Sequence, residues 1–153
     1  MDSLYIEYDD DEYESIAPLE RVEAIASVSA TLIPCAPGEI SISFISQERM
    51  KSLNKEFRNK DESTDILSFV EQDDDMFISV HEEPILGDIV ISLEDMLQNC
   101  EYFQTDKDNE LIRLIVHGLL HLNGYDHETN DEHEGMLLLQ EDIVKKIEKE
   151  LGQ

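Results

Sequence analysis

The feature that most constrains the fold is residues 108–124 (DNELIRLIVHGLLHLNG), which are apolar around nearly the whole circumference of a helix. The apolar positions are Leu111, Ile112, Leu114, Ile115, Val116, Leu119, Leu120 and Leu122. A helix that is apolar on all sides is buried in a protein core. Gly124 is a natural C′ residue and predicts the end of the helix. We therefore expect one central helix with the other elements packed around it.

Histidines interrupt this apolar segment. Three of the five histidines of the chain, His117, His121 and His127, fall within eleven positions. His117 and His121 are four residues apart and share one helix face. His127 lies three residues past Gly124, so a turn can bring it back towards them. Three imidazoles with an open fourth position are typical of a catalytic zinc site, with Zn–N distances of about 2.0–2.1 Å. The alternative for each histidine is a hydrogen-bonded side chain of the core.

The residue between the two helix histidines limits the chemistry of such a site. Position 118 is Gly, whereas the HExxH metalloproteases carry there the Glu that acts as general base. The pattern therefore argues against zincin peptide hydrolysis. It favours a reaction that depends on the metal and on a cation for an anionic transition state. Neither Cys35 nor Cys100 lies nearby as a fourth ligand, and three imidazoles also accept nickel or other divalent metals.

The charge is strongly acidic, with 37 acidic and 11 basic residues and a net charge of −26. Such a chain repels phosphate backbones at long range. Residues 49–60 (RMKSLNKEFRNK) are locally positive, because Glu56 is their only acid. This segment is either a solvated helix face or a local anion site. In the second case Lys51, Lys55 and Arg58 are the candidate substrate-binding residues.

The rest of the chain predicts a single domain over residues 1–153, since no repeat or Gly/Ser-rich linker divides it. Strands are expected at SLYIEY, EISISFIS, DILSFVE and LGDIVIS, and helices at PLERVEAIASVSATLI, SQERMKSLNKEF, SLEDMLQNCEYF and DEHEGMLLLQEDIVKKIEKEL. QDDDMFISVHEEP is expected to be a loop or an edge strand. The order of these elements favours an α+β fold, a small mixed β-sheet packed with helices, in which the buried central helix carries two of the histidines.

Two features bear on location. No apolar run approaches the ~20 residues that a membrane span needs. The acidic N-terminus does not resemble a secretory signal, and the two cysteines have no CxxC spacing. We therefore expect a cytoplasmic protein with reduced thiols and no membrane partner.

The segment HGLLHLNGYDH resembles the signature of the YbeY family, the single-strand-specific metallo-endoribonucleases of bacterial ribosomal RNA maturation. NKEFRNKDESTDILSF is similar to the family pattern N-x-x-[YF]-R-x-x-D-x-x-T-D-[VI]-L-S-F, and LGDIVIS matches the strand that follows. The resemblance covers residues from about Asn54 to about Met136. Val70 departs from it, because the family usually has proline at that position.

The resemblance implies that His117, His121 and His127 hold one zinc ion per chain. It implies that Arg58 faces the metal across a cleft and that Arg58 and His117 are catalytic. An Arg guanidinium can hold a phosphate bidentately and stabilise the charge of an in-line displacement. Asp126 is expected either to orient a ligand histidine or to cap the turn after the helix. The structural alternative for Arg58 is a salt bridge to a nearby aspartate, Asp61 or Asp65.

The function implied is a zinc-dependent endoribonuclease that acts on single-stranded ribosomal RNA in small-subunit maturation and ribosome quality control. Since the chain is so acidic, we expect it to act on RNA held by a ribosomal particle or by ribosomal proteins. One alternative is a non-catalytic ribosome-assembly factor with a structural zinc. Another is a metallohydrolase with a non-RNA substrate. The nucleophile, water or the 2′-hydroxyl of the substrate, is left open.

Overall fold

The computed structural model describes residues 3–33, 39–70, 85–125 and 135–152. Within these ranges the chain forms strands and helices that alternate irregularly along the sequence. In chain order they are β1 (Ser3–Tyr8), α1 (Asp11–Ile16), α2 (Leu19–Leu32), β2 (Glu39–Ile45), α3 (Gln47–Arg58), β3 (Ile66–Val70), β4 (Ile85–Ser92), α4 (Leu93–Phe103), α5 (Lys107–Leu122) and α6 (Gly135–Glu150).

The four strands form one mixed sheet in the order β1-β2-β4-β3. β1 pairs with β2 and β2 with β4 in parallel, whereas β3 pairs with β4 antiparallel, with Ser68 opposite Ile89. Among the strands that the structure describes, β3 therefore lies at one edge of the sheet. The mixed sheet with its helices confirms the predicted α+β class.

The central helix is α5, as its composition predicts. All eight of its apolar residues between Leu111 and Leu122 are buried. Ile115 and Leu119 are 0% exposed, and the helix packs against β3, β4, α2, α4 and α6. Burying each such aliphatic side chain stabilises the fold by about 1.5–3 kcal/mol. The chain leaves the helix at Gly124, which has a φ of 92°, so the predicted stop is confirmed.

The helix starts follow the local sequence signals. Ser46 caps α3 and Ser92 caps α4, each with a hydroxyl that accepts a backbone N–H of the first turn. Ser92 and Asp95 do not form a true capping box, in which the Asp95 side chain would accept the backbone N–H of Ser92. The Asp95 carboxylate accepts the Ser92 hydroxyl at 2.6 Å. The backbone N–H of Ser92 instead donates to the carbonyl oxygen of Asp65 at 2.9 Å. This bond ties the start of α4 to the residue before β3.

Two further outcomes concern the bounds of the helices. Pro18 precedes α2 as its N-cap residue rather than lying inside the helix. The short helix α1 was not predicted, since it buries no residue and so shows no apolar periodicity.

The segment QDDDMFISVHEEP and Cys35 lie outside the described residues, whereas Cys100 is buried. Among the helices in the described ranges, none is both long and apolar enough to cross a membrane.

Candidate functional site

The two helix histidines lie side by side on α5. Their ring centroids are 4.5 Å apart, and the Nε2 atom of His117 lies 3.0 Å from the Nε2 atom of His121. Two nitrogen ligands at about 2.0–2.1 Å from a tetrahedral zinc lie roughly 3.3–3.4 Å apart. The observed separation is within a few tenths of an ångström of that value. Both rings are half-buried, so this donor pair fits a metal ion at the surface of the core.

The third predicted ligand, His127, lies in residues 126–134, outside the described ranges, as does Asp126. Within the described ranges no group of three His, Cys, Asp or Glu side chains could hold a metal ion. The described part of the site is therefore the pair on α5. The role of His127 stays a prediction from its position after the Gly124 turn.

Arg58 shares a cleft with the two histidines. It is the last residue of α3, and Asn59 after it adopts a left-handed conformation with a φ of 59°. The cleft has a volume of about 340 Å³ and is lined by Arg58, His117, His121 and most of the edge strand β3. Arg58 and His117 are 59 residues apart in sequence. The fold thus brings one guanidinium and two imidazoles to one concave surface.

The structural alternative for Arg58 is absent from the described residues, where Arg58 forms no ion pair. Asp61 lies 3.9 Å from the Nζ atom of Lys51. Asp65 accepts a hydrogen bond of 3.2 Å from the side chain of Asn99. Neither predicted aspartate therefore engages the guanidinium.

Lys51 and Lys55 extend the positive charge away from the cleft. Together with Arg58 they occupy positions i, i+4 and i+7 of α3, which lie on one helix face. All three residues are exposed, while Met50 and Asn54 on the adjoining face are buried. The three basic residues form a continuous stripe that ends at the cleft, and we call it the α3 stripe.

Polar groups also surround His117 in a neighbouring cavity that Arg58 does not line. A second cavity of about 230 Å³ is lined there by Asp65, Glu110, Arg113 and Gln140 as well as His117. Burial raises the pKa of Asp65, and the neighbouring Glu110 raises it further. A hydrogen bond from Arg113 lowers the pKa of Glu141 on α6, so that carboxylate stays charged.

Gln140 is a site residue that sequence reasoning missed. Its Oε1 atom lies 2.6 Å from the Nδ1 atom of His117, and the residue is 5% exposed. A signal was present, because Gln140 is the one polar residue among the positions that α6 buries in the described ranges. The others are Met136, Ile143, Val144 and Ile147. A buried amide in an otherwise apolar face indicates a specific polar partner.

Gly118, which lies between the two histidines of α5, has a structural role. Gly118 is buried against β4, and a Cβ atom there would lie 2.8 Å from Cδ1 of Ile89 and 3.1 Å from its Cγ1 and Cγ2 atoms. A side chain at position 118 would therefore point at the sheet and displace Ile89. The Glu of the HExxH pattern would meet the same contact.

Comparisons with known proteins identify the family of the chain. A family model described as Endoribonuclease YbeY matches residues 6–148. A protein of Treponema denticola named Endoribonuclease YbeY is 41% identical over 143 residues, which cover 93% of this chain and 91% of that protein. Its namesake in Geobacillus kaustophilus is 34% identical over 151 residues, or 95% of this chain and 97% of the other.

The fold is also similar to a solved structure. The solution structure of a Thermotoga maritima protein aligns with a TM-score of 0.63 at 24% identity. The alignment covers 97% of this chain and 91% of that protein. This similarity supports the α+β architecture over nearly the whole chain.

Proposed function

Because the chain belongs to the YbeY family of endoribonucleases and is therefore a hydrolase acting on RNA, we propose that it is a zinc-dependent enzyme that cleaves single-stranded ribosomal RNA. The proposal includes a role in small-subunit maturation and in ribosome quality control. One observation carries it. Arg58 of α3 lines the same cleft as His117 and His121 of α5.

The donor set supports zinc. Two neutral imidazoles with converging Nε2 atoms suit zinc, and also nickel, better than magnesium or calcium, which prefer oxygen ligands. His127 would complete the set of three. When bound, the ion would act as a Lewis acid at the phosphate and lower the pKa of a nucleophile. His117 and His121 would hold it at the floor of the cleft.

Arg58 would bind the scissile phosphate. Its guanidinium can donate two parallel hydrogen bonds to phosphate oxygens and stabilise the charge that develops during displacement. The side chain is exposed, and within the described residues no carboxylate neutralises it. A free guanidinium at the rim of the cleft is therefore available to the substrate.

The α3 stripe would contact the flanking nucleotides. The net charge of −26 opposes general affinity for nucleic acid, so the contact with RNA must be local. Lys51 and Lys55 provide it next to Arg58. The acidic remainder of the surface complements basic ribosomal proteins, which supports a substrate presented by a ribosomal particle.

The test combines metal content and cleavage of a single-stranded ribosomal RNA fragment on matched preparations. We compare the wild type with His121→Ala, Arg58→Ala and Lys149→Ala, the last as a control on α6. We expect about one zinc per chain in the wild type. Both cleft variants should stop cutting, and only His121→Ala should lose the metal. If all four proteins cut alike, the nuclease is a contaminant and the proposal fails.

The acidic surface also favours a second candidate, a ribosome-assembly factor that binds basic proteins and uses zinc only for stability. Arg58→Ala separates the two functions. The enzyme loses cleavage while it keeps its metal. The binding factor keeps its affinity for ribosomal particles, which a sedimentation assay measures.

A further inference from the structure

A continuous chain of polar contacts runs from His117 on α5 into α6 and back to α5. The Nδ1 atom of His117 lies 2.6 Å from Oε1 of Gln140, and Nε2 of Gln140 donates to Oε2 of Glu141 at 3.1 Å. Glu141 in turn accepts two hydrogen bonds from Arg113, at 2.7 and 2.8 Å. These contacts therefore join the imidazole of His117, through one amide, to a salt bridge.

The chemistry of the groups fixes the direction of every bond. An ionised carboxylate only accepts, so the amide nitrogen of Gln140 must face Glu141. The amide oxygen of Gln140 then faces His117 and can only accept. His117 must therefore donate from Nδ1, which leaves the lone pair of the neutral ring on Nε2. Nε2 is the atom that faces His121.

Burial makes the arrangement costly to disturb. Gln140 is 5% exposed, so a rotated amide would leave its oxygen or its nitrogen without a partner away from water. An unsatisfied buried polar group costs about 1–3 kcal/mol. The wrong tautomer of His117 would place two hydrogen-bond acceptors opposite each other at 2.6 Å.

Arg113 keeps Glu141 in place. Besides the two bonds to Glu141, its Nη1 atom donates to Glu110 at 2.7 Å and to Asn109 at 2.6 Å. With so many partners the guanidinium has one orientation, and its two bonds to Glu141 fix both oxygens of that carboxylate. Glu141 is 43% exposed and would otherwise be free to turn towards solvent.

We propose that Gln140 is a positioning residue that holds His117 in the Nδ1–H tautomer, and that Arg113 and Glu141 hold the amide of Gln140 in the required orientation. The inference rests on the proposed function for its consequence, since the tautomer directs the lone pair of Nε2 at the metal site. The hydrogen-bond chain itself is formed by protein atoms alone.

The first test uses the full-length protein without metal, with ¹⁵N-labelled histidine, at about pH 8, where an imidazole with an ordinary pKa of about 6.5 is neutral. Long-range ¹H–¹⁵N spectra distinguish the two tautomers, and His117→Asn assigns the signals. We expect His117 to be the Nδ1–H tautomer in the wild type and in Gln140→Glu, whose carboxylate also accepts. Gln140→Leu and Gln140→Met should shift His117 towards the Nε2–H tautomer.

The second test measures zinc affinity by competition with a chelator. Removal of a partner that orients a ligand histidine weakens metal binding about 10- to 100-fold. We expect that effect in Gln140→Leu and Gln140→Met, and an affinity close to that of the wild type in Gln140→Glu. Gln47→Leu is the matched control. Gln47 lies on α3, and its side-chain amide donates a hydrogen bond to Asp95 of α4 at 3.3 Å. It should change neither the tautomer nor the affinity.

The outcomes separate this inference from the proposed function. If the wild type binds zinc and cuts RNA while Gln140→Leu and Gln140→Met keep both the Nδ1–H tautomer and the affinity, the inference is wrong and the function stands. If the wild type binds no zinc, the function fails. The tautomer of the metal-free protein then still decides whether Gln140 positions His117.

Discussion

Arg113 and Glu141 join α5 to α6 by a bidentate pair, from Nε to Oε2 at 2.7 Å and from Nη2 to Oε1 at 2.8 Å. The two helices also contact each other through His117 and Gln140 and through apolar side chains of the shared core, among them Val144 and Ile147. The pair is partly shielded, since the Arg113 side chain is 26% exposed. The pair also holds Glu141 beside Gln140, whose amide contacts both Glu141 and His117.

Replacement of Arg113 by Met should lower the free energy of unfolding by about 1–3 kcal/mol, less than the removal of a fully buried partner because the pair is partly solvated. The variant leaves Glu110 and Glu141 without their cation. Lys146→Met is the control, because Lys146 pairs with Asp142 at 3.0 Å while both side chains are 58% exposed. It should cost no more than about 0.5 kcal/mol. Urea denaturation followed by circular dichroism measures both values, and equal decreases would contradict the assignment.

The Arg113–Glu141 pair also predicts that the free energy of unfolding depends on pH in the acid range. The hydrogen bond from Arg113 lowers the pKa of Glu141 below its ordinary value of 4.5. A carboxyl whose pKa is depressed in the folded state stabilises the protein above that ordinary value and loses this contribution as the pH falls through the lower one. Glu141→Gln should therefore be less stable than the wild type at neutral pH, and the difference should shrink below pH 4.5. Denaturation curves that stay equally separated at every pH would disprove the linkage.

The sequence alone was sufficient to predict α5 and the two histidines on its shared face, because helical periodicity places residues four apart together. It was insufficient for Gln140, which lies 23 residues beyond His117 and reads locally as one polar position in an amphipathic helix. Its partner becomes evident only once α6 packs on α5. Local patterns thus predict elements, while a contact between elements depends on their packing.

Gly118→Ala tests the close approach of α5 to the sheet. The new methyl would lie 2.8 Å from Cδ1 of Ile89, so either α5 or Ile89 must move. We expect a decrease in stability of about 1–3 kcal/mol, despite the higher helix propensity of Ala. Cleavage should also fall, since the adjacent His117 would move with the helix.

Gly135→Ala is the matched control for Gly118→Ala. A Cβ at Gly135 would meet no atom within 4 Å, so stability should be unchanged or slightly higher. The double variant Gly118→Ala, Ile89→Ala should be destabilised by less than the sum of the two single effects, because the new methyl occupies space that Ile89 has vacated. Additive effects in thermal denaturation would show that the close approach is not the cause.

The basic segment shows another limit of sequence reasoning. Arg49 and Arg58 belong to the same basic segment, and local charge does not distinguish them. In the structure, however, Nη1 of Arg49 donates at 2.7 Å to Asp9, which lies 40 residues earlier in the sequence. Arg58 instead opens into the cleft. The family pattern selects Arg58 directly, whereas charge and spacing select only the segment. The physical difference is their position on α3. Arg58 lies at the C-terminal end, which lines the cleft with β3, whereas Arg49 lies at the N-terminal end.

The α3 stripe predicts a separation of substrate affinity from turnover. Lys51→Ala and Lys55→Ala should raise KM for single-stranded RNA several-fold with little change in kcat, because the lysines contact phosphates away from the scissile bond. Lys55→Ala should have the larger effect. Lys51 is partly neutralised by Asp61 at 3.9 Å, while Lys55 forms no ion pair with any residue that the structure describes.

Salt dependence decides whether the stripe binds phosphates directly. Removing one lysine that binds a phosphate should reduce the slope of log affinity against log salt by about 0.7 for a single strand. Lys149→Ala removes the same charge from α6, where the side chain lies beside α2 rather than in the cleft. It should leave the slope unchanged. If Lys149→Ala lowers affinity and slope as much as Lys55→Ala does, net charge rather than the α3 stripe governs RNA binding. The path assigned to the substrate along α3 would then be wrong.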